Sequence, residues 1–477
     1  MAQGRIVGEG REGLASSDEH RGASRGSSFA AAWGDGAAFG REGPRSALAS
    51  PLVPGRPPEP LAAEPGRSRG PGPGLWEGLR TVSYRDEERR HDHLEVLQGH
   101  RGRGCMAWWH LQGWILAIGV GVATSTSGFF IEEATGRLAS LRFGWCAGRP
   151  FTPRQSCPRG DWHSFVSALG VFPGCVINVA LGVCFAALSG LLCYRFAPAA
   201  VGSGIPEVKT ILNGFVMPEA VALRTLLVKM PGLVLSVAAG LSLGKEGPLV
   251  HVAVCWAQLL SRFSQQYQHE GKRRELFSAA VAAGVSVAFG TPVGGVLFSL
   301  EEVSSHFSSR TLLQAFIASV VGTLALSVSH LSGEEELTLF SVRYTSTCHP
   351  GEYLVFALLG ITGGLVGALF NAVNIRWAAF RMKPAFKQRV TPVVEVIVVS
   401  LLTLVTSWPL ALTRPLMPDA IHALFDTCDG RPGQTHRSKL QADIGLCTPE
   451  GQQTQADARL LSVLGAAAAI RFCQMAV

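Results

Sequence analysis

Two short segments hold residues that could act on an anion. In Gly202-Ser203-Gly204-Ile205-Pro206-Glu207 a Gly-x-Gly turn precedes a proline, the mark of a broken backbone that opens a helix. The first amides of a helix have no intrahelical partner and sit at the positive end of its dipole, so such a start favours a negative charge. Gly244-Lys245-Glu246-Gly247-Pro248 follows the same logic, with proline again placed for a first helical turn, but this start also carries a carboxylate. An ionisable residue beside apolar sequence is a functional candidate in a membrane, although many are simply paired. Spacing alone leaves Glu246 open between those two roles. Neither segment is a nucleotide loop, because Gly240-Leu-Ser-Leu-Gly244-Lys245 has too short a gap between its glycines and continues with Glu246 instead of Ser or Thr.

Other chemistry is poorly supported. His91 and His93, inside the charged run Tyr84–His93, offer two imidazoles at i, i+2 without further ligands, which is a weak metal site and reads as a solvated juxtamembrane segment. No nucleophile–base pairing emerges, so neither an enzyme nor a cofactor is expected. The net charge of +7 could suggest nucleic acid, but the basic residues fall in the N-terminal region and in connectors, as they do on the cytosolic flanks of membrane proteins.

The elements that must position these motifs are read from hydropathy. The 477 residues are 47% hydrophobic and only 16% charged, which favours a polytopic membrane protein. Spans are expected at Trp114–Ile131, Phe165–Phe196, Ala222–Leu243, Leu312–Val328, Tyr353–Val373 and Val390–Leu412, allowing for short and broken helices. Lys272-Arg273-Arg274 and the run Arg376, Arg381, Lys383, Lys387, Arg389 should face the cytosol. Glycines recur inside the apolar segments, among them Gly121, Gly284, Gly363 and Gly367, a usage that suits close helix packing in lipid. Residues 1–105 are rich in Gly, Ala, Arg, Pro and Ser and are expected to be mostly disordered; acidic residues such as Glu9 and Asp18 argue against a transit peptide there. Eleven cysteines form no CxxC pair. Cys146 with Cys157, and Cys428 with Cys447, lie in polar connectors where a disulfide is allowed only if that side is oxidising.

The two glycine-rich motifs, together with Gly290-Thr-Pro-Val-Gly-Gly-Val-Leu-Phe-Ser-Leu-Glu301-Glu302-Val303, resemble the CLC family of chloride channels and H+/Cl− exchangers, in its order and spacing. The resemblance is strongest to the intracellular exchanger branch and covers about residues 106–477. It implies an all-α multi-pass bundle built as an inverted repeat, with a first repeat over about 106–330 and the start of a second over about 350–477. Ser203 resembles the central anion-site hydroxyl, within Gly202, Gly204, Ile205 and Pro206, and serine instead of proline there is similar to chloride-preferring members. Glu246 resembles the gating glutamate, flanked by Gly244, Lys245, Gly247 and Pro248. Glu302 resembles the inner proton acceptor of exchangers, where channel members usually carry an apolar residue. Glu207, Glu301 and Lys245 read as charge partners or helix-end residues.

The same resemblance marks departures. The family's later Gly-x-Phe-x-Pro helix start, the tyrosine that closes the anion site and the CBS pair are not found, so the second repeat reads as incomplete. The expected activity is proton-coupled chloride antiport, with chloride and protons as the transported ions, lipid as the surroundings and a homodimer at full length. The expected location is an endosomal or vacuolar membrane, with the plasma membrane as the other option. Two alternatives stand beside it: a chloride channel, and a non-transporting fragment that associates with a complete relative.

Overall fold

The computed structural model describes residues 82, 84–100, 103–154, 157–158, 161–304, 307–329, 349–384, 386, 390–425 and 458–476. They are almost entirely helical. The N-terminal helices are α1 (Tyr84–His100) and α2 (Arg103–Leu141), followed by a two-stranded antiparallel hairpin of β1 (Gly144–Cys146) and β2 (Trp162–Ser164). Next come α3 (Phe165–Leu169), α4 (Val171–Phe196), α5 (Ile205–Leu212), α6 (Leu223–Ala238), α7 (Glu246–Ser261), α8 (Glu270–Phe289) and α9 (Pro292–Phe298). A π-helical turn, Ser299–Val303, extends α9. The remaining helices are α10 (Ser309–Ser329), α11 (Glu352–Arg381), α12 (Pro392–Ser407), α13 (Met417–Phe425) and α14 (Ala458–Ala476).

The centre of the bundle is α8, which packs against α2, α7, α9 and α10. Residues 276–288 of α8 are buried without a break, and they are nearly all Ala, Val, Ser and Gly. Between lipid-facing helices the gain comes from close van der Waals packing, which small residues permit. A Cβ at Gly284 would stand 2.8 Å from the Val250 Cα of α7, and one at Gly121 would stand 2.5 Å from the Ala318 oxygen of α10. Both glycines therefore mark backbone crossings. Gly363 and Gly367 do not, since a Cβ at either meets open space and α11 carries no buried residue.

Among the described residues four helices, α2, α4, α10 and α11, are long and apolar enough to cross a membrane. The span expected over Phe165–Phe196 is interrupted at Gly170, whose φ of +98° ends α3 before α4 begins. Helices α6 and α12 have 16 residues each, short of the roughly 20 a straight span needs. The connector after α2 holds the disulfide Cys146–Cys157 beside the hairpin. Cys428 and Cys447 lie outside the described residues.

At the end of the segment expected to be mostly disordered, residues 84–100 form α1 and residues 103–105 open α2. Because α1 docks through polar groups, no apolar period announces it. His91 is only 4% exposed, and its ring lies 6.0 Å from that of Trp109 on α2. Burial, and secondarily the charge of Lys272, lowers the His91 pKa.

Candidate anion site and its carboxylates

Ser203 sits in the loop between a 3₁₀ turn, Pro198–Ala200, and α5. Gly204 is the N-cap of α5 at φ +85°, a left-handed conformation that a side chain would strain, and Pro206 occupies the first helical turn. Gly204 has a second constraint: a Cβ there would collide with the His251 ring of α7. That ring is held by its Nε2–H, which donates to the Ala220 oxygen at 2.9 Å.

Glu246 opens α7, with Lys245 as its N-cap. The two helix starts meet. A Cβ at Gly247 would collide with Ser203 Oγ and come within 3.4 Å of Ile205 Cδ1, so the Ser203 hydroxyl lies directly against the α7 backbone one residue beyond Glu246. The Glu246 carboxylate turns back over its own loop, where a Cβ on Gly244 would collide with Oε2. Ser203, Gly202 and Pro206 are exposed, while Glu246, Gly247 and Pro248 are half-buried.

Glu302 has a different neighbour. It lies in the π-helical turn after α9, with its side chain 60% exposed, and Lys209 of α5 donates to its Oε1 at 2.8 Å. That bond and the ammonium charge hold the Glu302 carboxyl below its ordinary pKa. One short helix thus starts at the Ser203 loop and reaches Glu302 through its last turn. Glu301 is exposed beside Glu302, and Glu207 stands in the first turn of α5.

Further residues brace the site, and motif reading missed two of them, Lys229 and Arg471. Lys229 in α6, 2% exposed, donates to the oxygens of Ala200 at 3.2 Å and Gly202 at 2.9 Å, which ties down the loop just ahead of Ser203. A lysine in mid-helix of an apolar segment is a signal that could have flagged it. Arg471 of α14 donates to Ser242 Oγ at 2.8 Å and to the Thr413 oxygen at 2.6 Å, and Ser242 in turn donates to Gln474 Oε1 at 3.0 Å. Helix α14 therefore grips the loop that delivers Glu246. On the other side of that loop Lys245 pairs with Glu132 of α2 at 2.6 Å.

Residues 185–436, more than half of the chain, match the voltage gated chloride channel family, and Ser203, Glu246 and Glu302 all fall inside that match. The chain is 37% identical over 388 residues to H(+)/Cl(-) exchange transporter 5 of Homo sapiens, an alignment that covers 75% of this chain and 47% of that protein. With H(+)/Cl(-) exchange transporter 3 of Pongo abelii it shares 39% identity over 344 residues, 68% of this chain and 42% of the other. The chain thus spans about half the length of the curated relatives it matches. Among solved structures it is similar to a crystal structure of a eukaryotic CLC transporter, with a TM-score of 0.51 and 27% identity over 63% of this chain and 50% of that one. A slow cyanobacterial Cl-/H+ antiporter shares the fold, with a TM-score of 0.51 at 20% identity over 76% of this chain and 80% of that one.

Proposed function

The chain belongs to the CLC family of voltage gated chloride channels, and from that membership we propose that it forms part of a proton-coupled chloride antiporter. The observation that carries this reading is the contact of Ser203 Oγ with the α7 backbone at Gly247, which joins a candidate anion-site hydroxyl to the start of the helix bearing Glu246. Chloride would be held by the Ser203 hydroxyl and the loop around Gly202, Gly204, Ile205 and Pro206. The Glu246 carboxylate would compete for the same space and leave it on protonation. A neighbouring anion favours the neutral form of a carboxyl, so chloride occupancy and proton uptake become linked.

Glu302 would take protons from the cytosolic side and pass them toward Glu246, while chloride follows an inner route past Ser203. Lys209 opposes that step, because its ion pair must open before Glu302 gains a proton. At full length the protein would be a two-pore homodimer in an intracellular membrane, with the repeats divided as the sequence suggests. The test is flux through a chain carried to the length of its relatives and placed in liposomes. Glu302→Ala should abolish proton movement and leave chloride flux. Proton movement that persists unchanged refutes the exchanger reading, and a reversal potential insensitive to an imposed pH gradient identifies a channel.

A further inference from the structure

The loop between α6 and α7 delivers Glu246, and its first turn rests on a buried arginine. Arg142, directly after α2, is only 3% exposed. Its Nη1 donates to the Ala238 oxygen at 2.9 Å and its Nη2 to Asn178 Oδ1 on α4 at 3.1 Å, while Asn178 Nδ2 donates back to the Arg142 oxygen at 3.3 Å. Ala238 is the last residue of α6, so the guanidinium caps a carbonyl at the negative end of that helix dipole. Gly240 then turns at φ +81°, and a Cβ there would collide with Nη1. Glycine is required at this turn both by the left-handed backbone and by the guanidinium lying against it.

Two features set this arginine apart from an ordinary packing residue. Among the described residues no carboxylate pairs with it, and its Nε–H is buried without an acceptor. A buried cation with no counter-charge is costly, and an apolar side chain of similar volume would fill the space at less cost. The second feature is the company it keeps along residues 239–245. Arg471 of α14 donates to Ser242 in the middle of that loop, and Lys245 at its far end pairs with Glu132, earlier on α2. Both ends of the loop are thus held from α2 and the residue that follows it.

We propose that Arg142 is a positioning residue for Glu246. It fixes the start of the 239–245 loop against α2 and α4, so that the Glu246 carboxylate meets the Ser203 loop in one place. The proposal rests on the reading of Glu246 as the carboxylate that competes with chloride. A carboxylate held in that place leaves it only on protonation, so chloride binding should tighten as pH falls through the carboxyl titration. Once the loop is released, the carboxylate can step aside while still charged, and that dependence flattens.

The test has two arms, both on the full 477-residue chain in detergent. Amide hydrogen exchange in Arg142→Met should accelerate about 5–30-fold within 239–245 and keep the wild-type rate within residues 276–288 of α8. Asn178→Leu spares the charge and removes one hold, so it should accelerate the same amides by less, a readout that remains if Arg142→Met folds poorly. Arg137→Met, which removes an exposed arginine of α2 paired with Glu133 at 2.7 Å, should change nothing. Calorimetric titration of chloride at several pH values should show a flatter pH dependence in Arg142→Met than in wild type, and none in Glu246→Gln. Unaltered exchange within 239–245 overturns the proposal, as does an acceleration spread equally into α8, an equal one in Arg137→Met, or a wild-type pH dependence of chloride affinity in Arg142→Met. A pH dependence that is absent from wild type, or that survives Glu246→Gln, refutes instead the competing-carboxylate reading, and the exchange arm then decides by itself whether Arg142 places the loop.

Discussion

Lys229 ties down the loop that leads to Ser203, the candidate anion loop. Its ammonium makes two charge-assisted hydrogen bonds, at 3.2 Å and 2.9 Å, to carbonyls that flank the approach to Ser203. Bonds to a charged partner contribute about 1.5–3 kcal/mol each, so the pair bounds the gross interaction at roughly 3–6 kcal/mol. Removing the ammonium also removes its desolvation cost, which offsets much of that figure. A net loss of about 1–3 kcal/mol in the loop conformation remains. If that conformation is the one that binds chloride, Lys229→Met should weaken chloride binding by about 5–150-fold. The assay is calorimetric titration of chloride into the purified protein, beside its unfolding temperature. Lys229→Gln keeps an N–H donor and should recover part of the affinity. Chloride affinity within about twofold of wild type in Lys229→Met, with only the unfolding temperature lowered, refutes the reasoning, since the lysine would then hold the fold and not the loop.

Other outcomes follow from neighbouring geometry. Lys209→Met removes the partner that depresses the Glu302 pKa, so Glu302 should gain its proton at higher pH and the pH dependence of proton flux should move upward; no movement, or a shift that persists in Lys209→Met/Glu302→Gln, counts against the pair. Gly204→Ala combines left-handed strain of about 1–2 kcal/mol with a collision against His251 costing about 1–3 kcal/mol. Gly202→Ala has a similar φ, +80°, but open space for its Cβ, so it should lower the unfolding temperature less; equal losses would show that the His251 contact contributes nothing. Arg471→Met should loosen the loop ahead of Glu246 and accelerate amide hydrogen exchange around Ser242, with unchanged exchange as the contrary result.

Much of this protein is local, and the local part was legible. A Gly-x-Gly turn before proline dictates a broken helix start wherever it occurs, and long apolar runs dictate helices because lipid leaves backbone groups no other partners. The helix starts at Ser203 and Glu246 could therefore be read from local spacing, whereas Glu302 was singled out only by the family resemblance. What the chain order does not contain is who meets whom. Lys229 reaches a carbonyl 27 residues away, Lys209 reaches Glu302 across 93, and Arg471 reaches Ser242 across 229. His91 shows the same limit in reverse. Its charged surroundings in sequence read as solvent-facing, yet Gln266, 175 residues on, and Trp109 bury it. Sequence alone determined which residue types stand at helix starts, since dihedral preference and hydropathy act over a few neighbours. Tertiary structure decided which charges are paired and which backbone loops they hold, because burial and hydrogen bonding belong to the packed helices and not to any one segment.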